Sequence, residues 1–291
     1  MTKVDGPVLV IGSTGLQGGA VARELLRRGR GVHALAPTPG SAAAQLLSGQ
    51  GATVVHGDLD DPASIRRAMS GAQAVFSVLT ITRGPDVEVR QGKALADAAR
   101  DVGVEHVVYS SVDGAERGSH IPHFESKWAI EQHLQALQVP TTVLRPTAFM
   151  DNYRSAVGRP ALVDGTLVMA SPLPPGRPFQ MLAAADLAVF AADAIQQPDD
   201  HIGTAIALAG DELTGLEIAE VFADATGIPA RYQQQPIEAI RSFSDDLARM
   251  YEWLDQFGYQ ADIAALRVRH PGLRTLRRWL HETNWQPAVP T

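Results

Sequence analysis

The sequence predicts an α/β protein, a doubly wound parallel sheet followed by a smaller C-terminal α/β lobe. Three observations carry that expectation. Short apolar runs alternate with amphipathic stretches through the first half, the first run opens directly into a glycine-rich turn, and the texture changes after Arg145-Pro146. Pro7-Val8-Leu9-Val10-Ile11 is apolar without interruption, as a strand buried on both faces must be. Residues 16–28 follow, with Leu16, Ala20, Leu25 and Leu26 near helical spacing and Gly29 as a stop. Strand-like runs recur at 32–35, 53–55, 74–79, 106–110 and 141–144. Helical segments separate them. Asp61-Pro62 places a cap and a proline ahead of 63–69, and longer periodic patterns cover 88–102 and 125–137. Six strands with five crossovers make one sheet, and such a sheet binds ligands beyond the carboxyl ends of its strands.

After Pro146, Ser171-Pro172-Leu173-Pro174-Pro175-Gly176-Arg177-Pro178 can sustain neither a helix nor a central strand, so it is expected to be a loop lying over something. Residues 183–195 look helical and 205–208 strand-like, while 214–225, 237–253 and 273–285 read as lobe helices. The expected division is therefore 1–152 and 153–291, with about 180–210 rejoining the first part. No internal repeat or low-complexity tract is present.

The chain has 291 residues, 45% hydrophobic and 20% charged, which excludes disorder over most of its length. Its 25 Lys+Arg against 32 Asp+Glu leave a net charge of −7, which argues against a dedicated binder of nucleic acid or anionic membranes. With no cysteine, disulfides, thiolate catalysis and Cys-ligated metal centres are excluded. Neither a signal-like opening nor an apolar stretch near the ~20 residues of a membrane span is seen, so a cytoplasmic protein is expected. Of the basic residues only Lys3, Lys93 and Lys127 are lysine. An ammonium is a compact point charge where a guanidinium is a planar fork, so the two internal lysines stand out.

Gly12-Ser13-Thr14-Gly15-Leu16-Gln17-Gly18-Gly19 follows the first strand and opens the first helix. Glycines at 12, 15 and 18 suit a tight turn, a close backbone approach to a pyrophosphate, and helix N-terminal amides aimed at the anion. The position at the first strand-to-helix junction sets this motif apart from a mere glycine turn.

From here the sequence resembles the NmrA-like branch of the atypical short-chain dehydrogenases/reductases. The resemblance is carried by the glycine motif, Gly57-Asp58-Leu59-Asp60-Asp61, Val89-Arg90-Gln91-Gly92-Lys93 and Val107-Val108-Tyr109-Ser110-Ser111. His123-Phe124-Glu125-Ser126-Lys127 and Leu144-Arg145-Pro146-Thr147-Ala148-Phe149-Met150-Asp151-Asn152 extend it, and it runs from about residue 7 to Trp285. It implies a Rossmann fold binding NAD(P), with the smaller lobe over the nicotinamide end. Its members include NADPH-dependent reductases, quinone reductases and regulators that sense NADP(H). The cofactor-binding positions it implies are Gly12, Thr14, Gly15, Leu16, Gln17, Gly18, Thr38, Asp58, Leu59, Thr80, Lys93, Lys127, Pro146 and Phe149.

Cofactor choice is read about 20 residues after the glycines, where a carboxylate would bind the ribose hydroxyls of NAD. Ala36-Pro37-Thr38 supplies none, which favours NADP and leaves NAD possible, although Pro37 stands where NADP-preferring relatives often carry arginine. Thr38 and Ser41 either bond a 2′-phosphate or cap the following turn. Asp58 is placed by the resemblance beside the adenine, against the alternative of a turn or cap before Pro62. Residues 77–80 would run along the adenosine ribose, and Lys93 either reaches the cofactor or is a surface charge.

In catalytic relatives a serine after the fifth strand orients the substrate carbonyl and Tyr-x-x-x-Lys supplies the acid and the ribose contact. Here the residues are Ser111, His123 and Lys127, so histidine replaces the tyrosine. Either His123 donates the proton, or it packs in a site that binds cofactor without turnover. Plant reductases related to this branch act with lysine and no tyrosine, while its sensors also carry histidine before this lysine. The expected function is NADPH-dependent reduction of a small apolar carbonyl, enal or quinone, with Phe149, Met150, Tyr153 and the 171–178 loop as lining candidates. The alternative is an NADP(H)-sensing regulator acting through a protein partner, and a non-redox isomerase is a weaker third. Lys127 contacts the ribose, or else pairs with Glu131 at i,i+4 spacing. His120 and His123 lack a third ligand, so no metal is expected. Arg267, Arg269, Arg274, Arg277 and Arg278 read as a solvated helix face in preference to a docking strip.

Overall fold

The computed structural model describes residues 6–156 and 158–287, so Lys3 lies outside the described residues. The chain divides into two compact units, Met1–Arg145 with Ala184–Ile206, and Pro146–Ala183 with Ala207–Thr291.

The first unit begins with β1 (Val8–Ile11), α1 (Leu16–Arg27), β2 (Val32–Ala36), α2 (Ala42–Gly49) and β3 (Thr53–His56). Then come α3 (Pro62–Met69), β4 (Ala74–Val78), α4 (Pro85–Val102), β5 (His106–Ser110), α5 (Pro122–Ala136) and β6 (Thr141–Pro146). The second unit contributes β7 (Ala148–Phe149), β8 (Ala161–Val163), β9 (Thr166–Ser171) and β10 (Phe179–Leu182) before the chain runs through α6 (Ala184–Gln196), α7 (Pro198–His201) and β11 (Ala205–Leu208).

The large sheet has seven strands, one more than the six first-half runs, in the order β11-β6-β5-β4-β1-β2-β3, because β11 joins its edge. The pairs from β3 through β6 are parallel, and the winding reverses between β1 and β4, whose registers put Ile11 beside Ser77. Leu9, Ile11, Val75 and Val107 from the strands share one buried cluster with Ile65 and Met69 of α3, Leu95 and Ala99 of α4, and Ile130 and Leu134 of α5. On α1, Glu24 accepts from Arg28 at 2.7 Å, and Arg28 reaches Asp193 of α6 at 2.6 Å. The predicted cap at Asp61 is present, accepting from the Ala63 amide at 2.9 Å, with Pro62 in the first turn.

The second unit continues with β12 (Asp211–Leu213), α8 (Gly215–Thr226), β13 (Ala230–Gln234), α9 (Ile237–Arg241), α10 (Asp245–Gln256), α11 (Ile263–Arg269) and α12 (Leu276–Glu282). It holds two three-stranded sheets, β12-β10-β7 and β13-β9-β8. The helix expected over 237–253 is two helices, because the Ser244 hydroxyl accepts from the Leu247 amide at 3.2 Å and starts a new one. That expected over 273–285 shrinks to α12 for the same reason, Thr275 capping the Arg278 amide at 3.3 Å. The proline-rich loop packs on β13: Tyr232 donates to the Leu173 carbonyl at 2.6 Å and Gln234 to the Pro172 carbonyl at 3.2 Å. Met150, proposed as a lining residue, is fully buried in this unit's core with Leu167, Phe222 and Trp279. Tyr153, half-buried, is set edge-on against Phe222 at 5.0 Å and packs against the same cluster.

Candidate functional site

The strand registers bring the predicted loops to one edge. Ile11 lies beside Ser77, Ser77 beside Tyr109, Ser110 beside Leu144, and Ala36 beside His56. Gly12, Thr38, Asp58, Thr80 and Ser111 therefore all follow strand ends at the carboxyl edge, with Gly12 at the point where the winding reverses.

The glycines of the turn divide by what surrounds them. Gly12 has φ +76°, the left-handed region that favours glycine, and a Cβ there would lie 2.6 Å from Val78 Cγ1. A Cβ on Gly18 would lie 2.3 Å from the Gly12 carbonyl oxygen, so the first turn of α1 sits directly on the loop. Gly15 differs: its only near neighbour would be Gly12 O at 3.4 Å. It is the N-cap of α1 and no side chain caps that helix end. Thr14, Gly15 and Leu16 are exposed there, and the turn is braced from behind. Ser13 donates to the Leu35 carbonyl at 2.9 Å, and Ser110 donates to Gln17 Oε1 at 2.7 Å. An uncapped helix end over an uncrowded glycine, at a sheet's reversal point, fits an anionic pyrophosphate. Two orphaned hydroxyls add to the fit, since Ser77 Oγ and Ser111 Oγ are buried without a hydrogen-bond partner.

The remaining predicted contacts are of mixed kinds. Thr38 is exposed, and Ser41 accepts from the Ala44 amide at 3.4 Å, so Ser41 acts as the cap of α2. Asp58 is exposed and accepts from the Asp60 amide at 2.9 Å in an Asx turn. Leu59 packs against the core cluster. Thr80 Oγ1 accepts from the Thr82 amide at 3.3 Å. Lys93 is exposed. Pro146 and Phe149 belong to the second unit, Phe149 pairing with Leu182 between β7 and β10.

Two of the sequence motifs meet at Asp60. Its Oδ1 accepts from Arg90 at 2.8 Å and from Gln91 at 3.0 Å, and Arg83 pairs with its other oxygen. The Arg83 guanidinium, then Arg90 and Gln91, hold this carboxyl well below the usual range. The β3–α3 loop is thereby tied to α4 and to the segment leading into it.

His123 and Lys127 lie one turn apart on α5. His123 is half-buried, its ring edge-on to Phe124 at 4.8 Å. Lys127 does not pair with Glu131 as the local alternative supposed. Glu131 is taken by Arg145 at 2.7 Å, which also holds Glu116 at 2.8 Å. Lys127 Nζ instead lies 2.7 Å from Oε1 of Glu88 on α4, a carboxylate of 0% exposure. The second oxygen of Glu88 accepts from the Ser126 hydroxyl. Glu88 escaped sequence reasoning because its partners are 38 and 39 positions away on another helix. Beside it, the Tyr109 phenol is pushed well above its usual range by burial, and by Glu88 and Glu131. His120 has φ 57° and precedes the helix, so it does not share a helical face with His123. Among the described residues no three histidine or carboxylate side chains are grouped to hold a metal ion.

Four of the five late arginines are engaged within the second unit: Arg274 and Arg278 share Glu282 at 2.6 Å each, Arg277 pairs with Asp224 at 2.8 Å, and Arg267 donates to the Gly210 carbonyl at 3.2 Å, while Arg269 is exposed. Among the described residues no helix is long and apolar enough to cross a membrane.

Residues 5–273 match the model of the NmrA-like family. An NAD(P)H azoreductase of Xenophilus azovorans is 32% identical over 231 residues, covering 77% of this chain and 76% of the relative. Among solved structures, NmrA, a negative transcriptional regulator in complex with NADP, superposes with a TM-score of 0.82 at 21% identity, over 96% of this chain and 95% of that one. The NADPH complex of the quinone oxidoreductase QOR2 of Escherichia coli does so at 0.79 and 24% identity, over 96% and 100%.

Proposed function

Since the chain belongs to the NmrA-like family, we propose that it binds NADP(H) at the Gly12–Gly18 turn and reduces a small apolar carbonyl, enal or quinone. The observation that carries the reading is Gly15: uncrowded, at an uncapped helix end, where the sheet reverses its winding. The first-turn amides of α1 would hold the pyrophosphate. Thr38, Asp58, Leu59 and Thr80 would flank the adenosine, and the absence of a carboxylate after β2 favours the 2′-phosphorylated cofactor. Bound NADPH supplies a hydride. The protein's part is to orient the acceptor oxygen, for which the unpartnered Ser111 hydroxyl is suited, and to deliver a proton, for which His123 is the candidate donor. Lys127 would hold the nicotinamide ribose. The azoreductase and the quinone oxidoreductase among the similar proteins support a reductive role.

Titrating nicotinamide fluorescence with NADPH and NADH tests binding, with tighter NADPH expected. NADPH consumption against panels of quinones and enals tests turnover. Consumption undiminished in both Lys127→Met and His123→Ala removes these residues from the chemistry. Tight NADPH binding with no consumption by any acceptor, and a pulled-down protein that responds to NADP, would replace the reductase with a regulator.

A further inference from the structure

We propose that Glu88 is the positioning residue for Lys127, holding one of the three ammonium N–H donors so that the other two face the paired hydroxyls of a cofactor ribose. The inference rests on the NADP(H)-binding reading above.

A carboxylate with no exposure must find partners inside the protein, since burying it unpaired would cost several kcal/mol. Glu88 finds two, each bonded to a different oxygen, Lys127 Nζ on Oε1 and Ser126 on Oε2. With both oxygens engaged the carboxylate cannot swing, and the ammonium it holds is fixed with it. An ammonium carries three donors and no acceptor, so one bond to Glu88 leaves two. Lys127 keeps 13% of its side chain exposed, so the ammonium is not sealed in.

The backbone is shaped for this arrangement. One helical turn beyond Glu88 on α4 stands Gly92, and one turn beyond Ser126 on α5 stands Ile130. A Cβ on Gly92 would lie 2.4 Å from Ile130 Cδ1, so the two helices approach closely beside the ion pair. Such an approach brings a glutamate on one helix within reach of side chains on the other. The arrangement also gives a reason for lysine in a chain whose other described cations, Lys93 apart, are arginine. A guanidinium placed on one buried carboxylate aims its remaining donors along a plane rather than around a point.

The test exploits the chain's three lysines. Labelling lysine with 13C at the ε position gives three side-chain NMR signals, and Lys127→Met assigns one. In the wild type the Lys127 signal is expected to be displaced from that of a free lysine, and in Glu88→Gln to shift away from its wild-type position. A Lys127 signal at the free position in the wild type, or unmoved in Glu88→Gln, overturns the anchor whether or not cofactor binds. NADPH affinity is then measured across a double-mutant cycle. Glu88→Gln should weaken binding about tenfold, the size of one lost charge-assisted bond. In a Lys127→Met background the same change should do nothing further. Losses that add would show Glu88 acting independently of Lys127 and overturn the proposal. Ser126→Ala keeps the carboxylate and removes only its second tether, so a smaller loss in the same direction is expected even if Glu88→Gln folds poorly, and an unchanged affinity there counts against the proposal. A wild-type chain that binds neither NADPH nor NADH overturns the functional reading, a result distinct from one that binds NADPH with Glu88→Gln unaltered.

Discussion

A methyl group added to Gly15 and one added to Gly18 would meet different surroundings, although the residues share one turn. At Gly15, whose φ of −92° suits any residue, a Cβ has ordinary room. Gly15→Ala should therefore leave the melting temperature unchanged while weakening NADPH binding at least tenfold, and Gly15→Asp, which brings a negative charge against the pyrophosphate, should abolish it. At Gly18 the added atom would overlap rigid backbone, 2.3 Å from Gly12 O, so Gly18→Ala should destabilise the fold by about 1–3 kcal/mol. Thermal melts and fluorescence titrations on both variants separate a glycine kept for a ligand from one kept for packing. Lys127→Arg is the companion test at the other end of the site. It preserves charge, yet it should weaken NADPH about ten- to a hundredfold, because a fork replaces three donors set around one nitrogen. An unchanged affinity would make Lys127 an ordinary half of a buried ion pair.

Between elements, α4 and α5 press together where Gly92 meets Ile130. Gly92→Val should destabilise the protein by about 1–3 kcal/mol through overpacking against Ile130, which is 1% exposed. Ile130→Ala alone should be costly through its cavity. Combined, the two changes should cost less than their sum in urea unfolding, whereas strict additivity would mean that the helices do not press on each other there. This crossing also marks where the sequence stopped being legible. A run such as Val8–Ile11 announces itself because a strand buried on both faces needs continuous apolar residues. The glycine turn is readable because its geometry demands particular spacings. Glu88 was not readable, since an isolated glutamate within a charged helix carries no mark of the neighbour that will bury it. The same limit hid the break at Ser242-Phe243-Ser244, where a cap outweighs an apolar period that would carry one helix through. It hid the two small sheets as well, whose strands of two to six residues are too short to show a period.

For the molecule as a whole, acid tests how its buried polar groups are held. His106 on β5 is 2% exposed, its Nε2 lies 2.8 Å from Thr142 Oγ1, and its Nδ1 is buried without a partner. Burial, and next the nearby His201, push its pKa down from 6.5 to about 4. The sign follows from which state takes up the proton. Between pH 6.5 and 4 the unfolded chain protonates this histidine while the native state resists, so the stability it confers is complete above pH 6.5 and lost progressively as pH falls towards 4. Ion-paired carboxylates such as Glu24, lowered from 4.5 to about 2 chiefly by the Arg27 hydrogen bond, act in a separate window, their contribution lasting until the pH drops below 4.5. At pH 5 most of this histidine's contribution is therefore gone while most of that from Glu24 remains. Lowering the pH from 7.5 to 5 should remove about 2 kcal/mol through this group. His106→Gln, which keeps a polar side chain able to reach Thr142 but has no proton to gain, should be less stable than the wild type at pH 7.5 and lose little more by pH 5. Parallel urea unfolding at the two pH values decides the matter: equal losses in both proteins would show that the acid sensitivity lies elsewhere than in this buried ring.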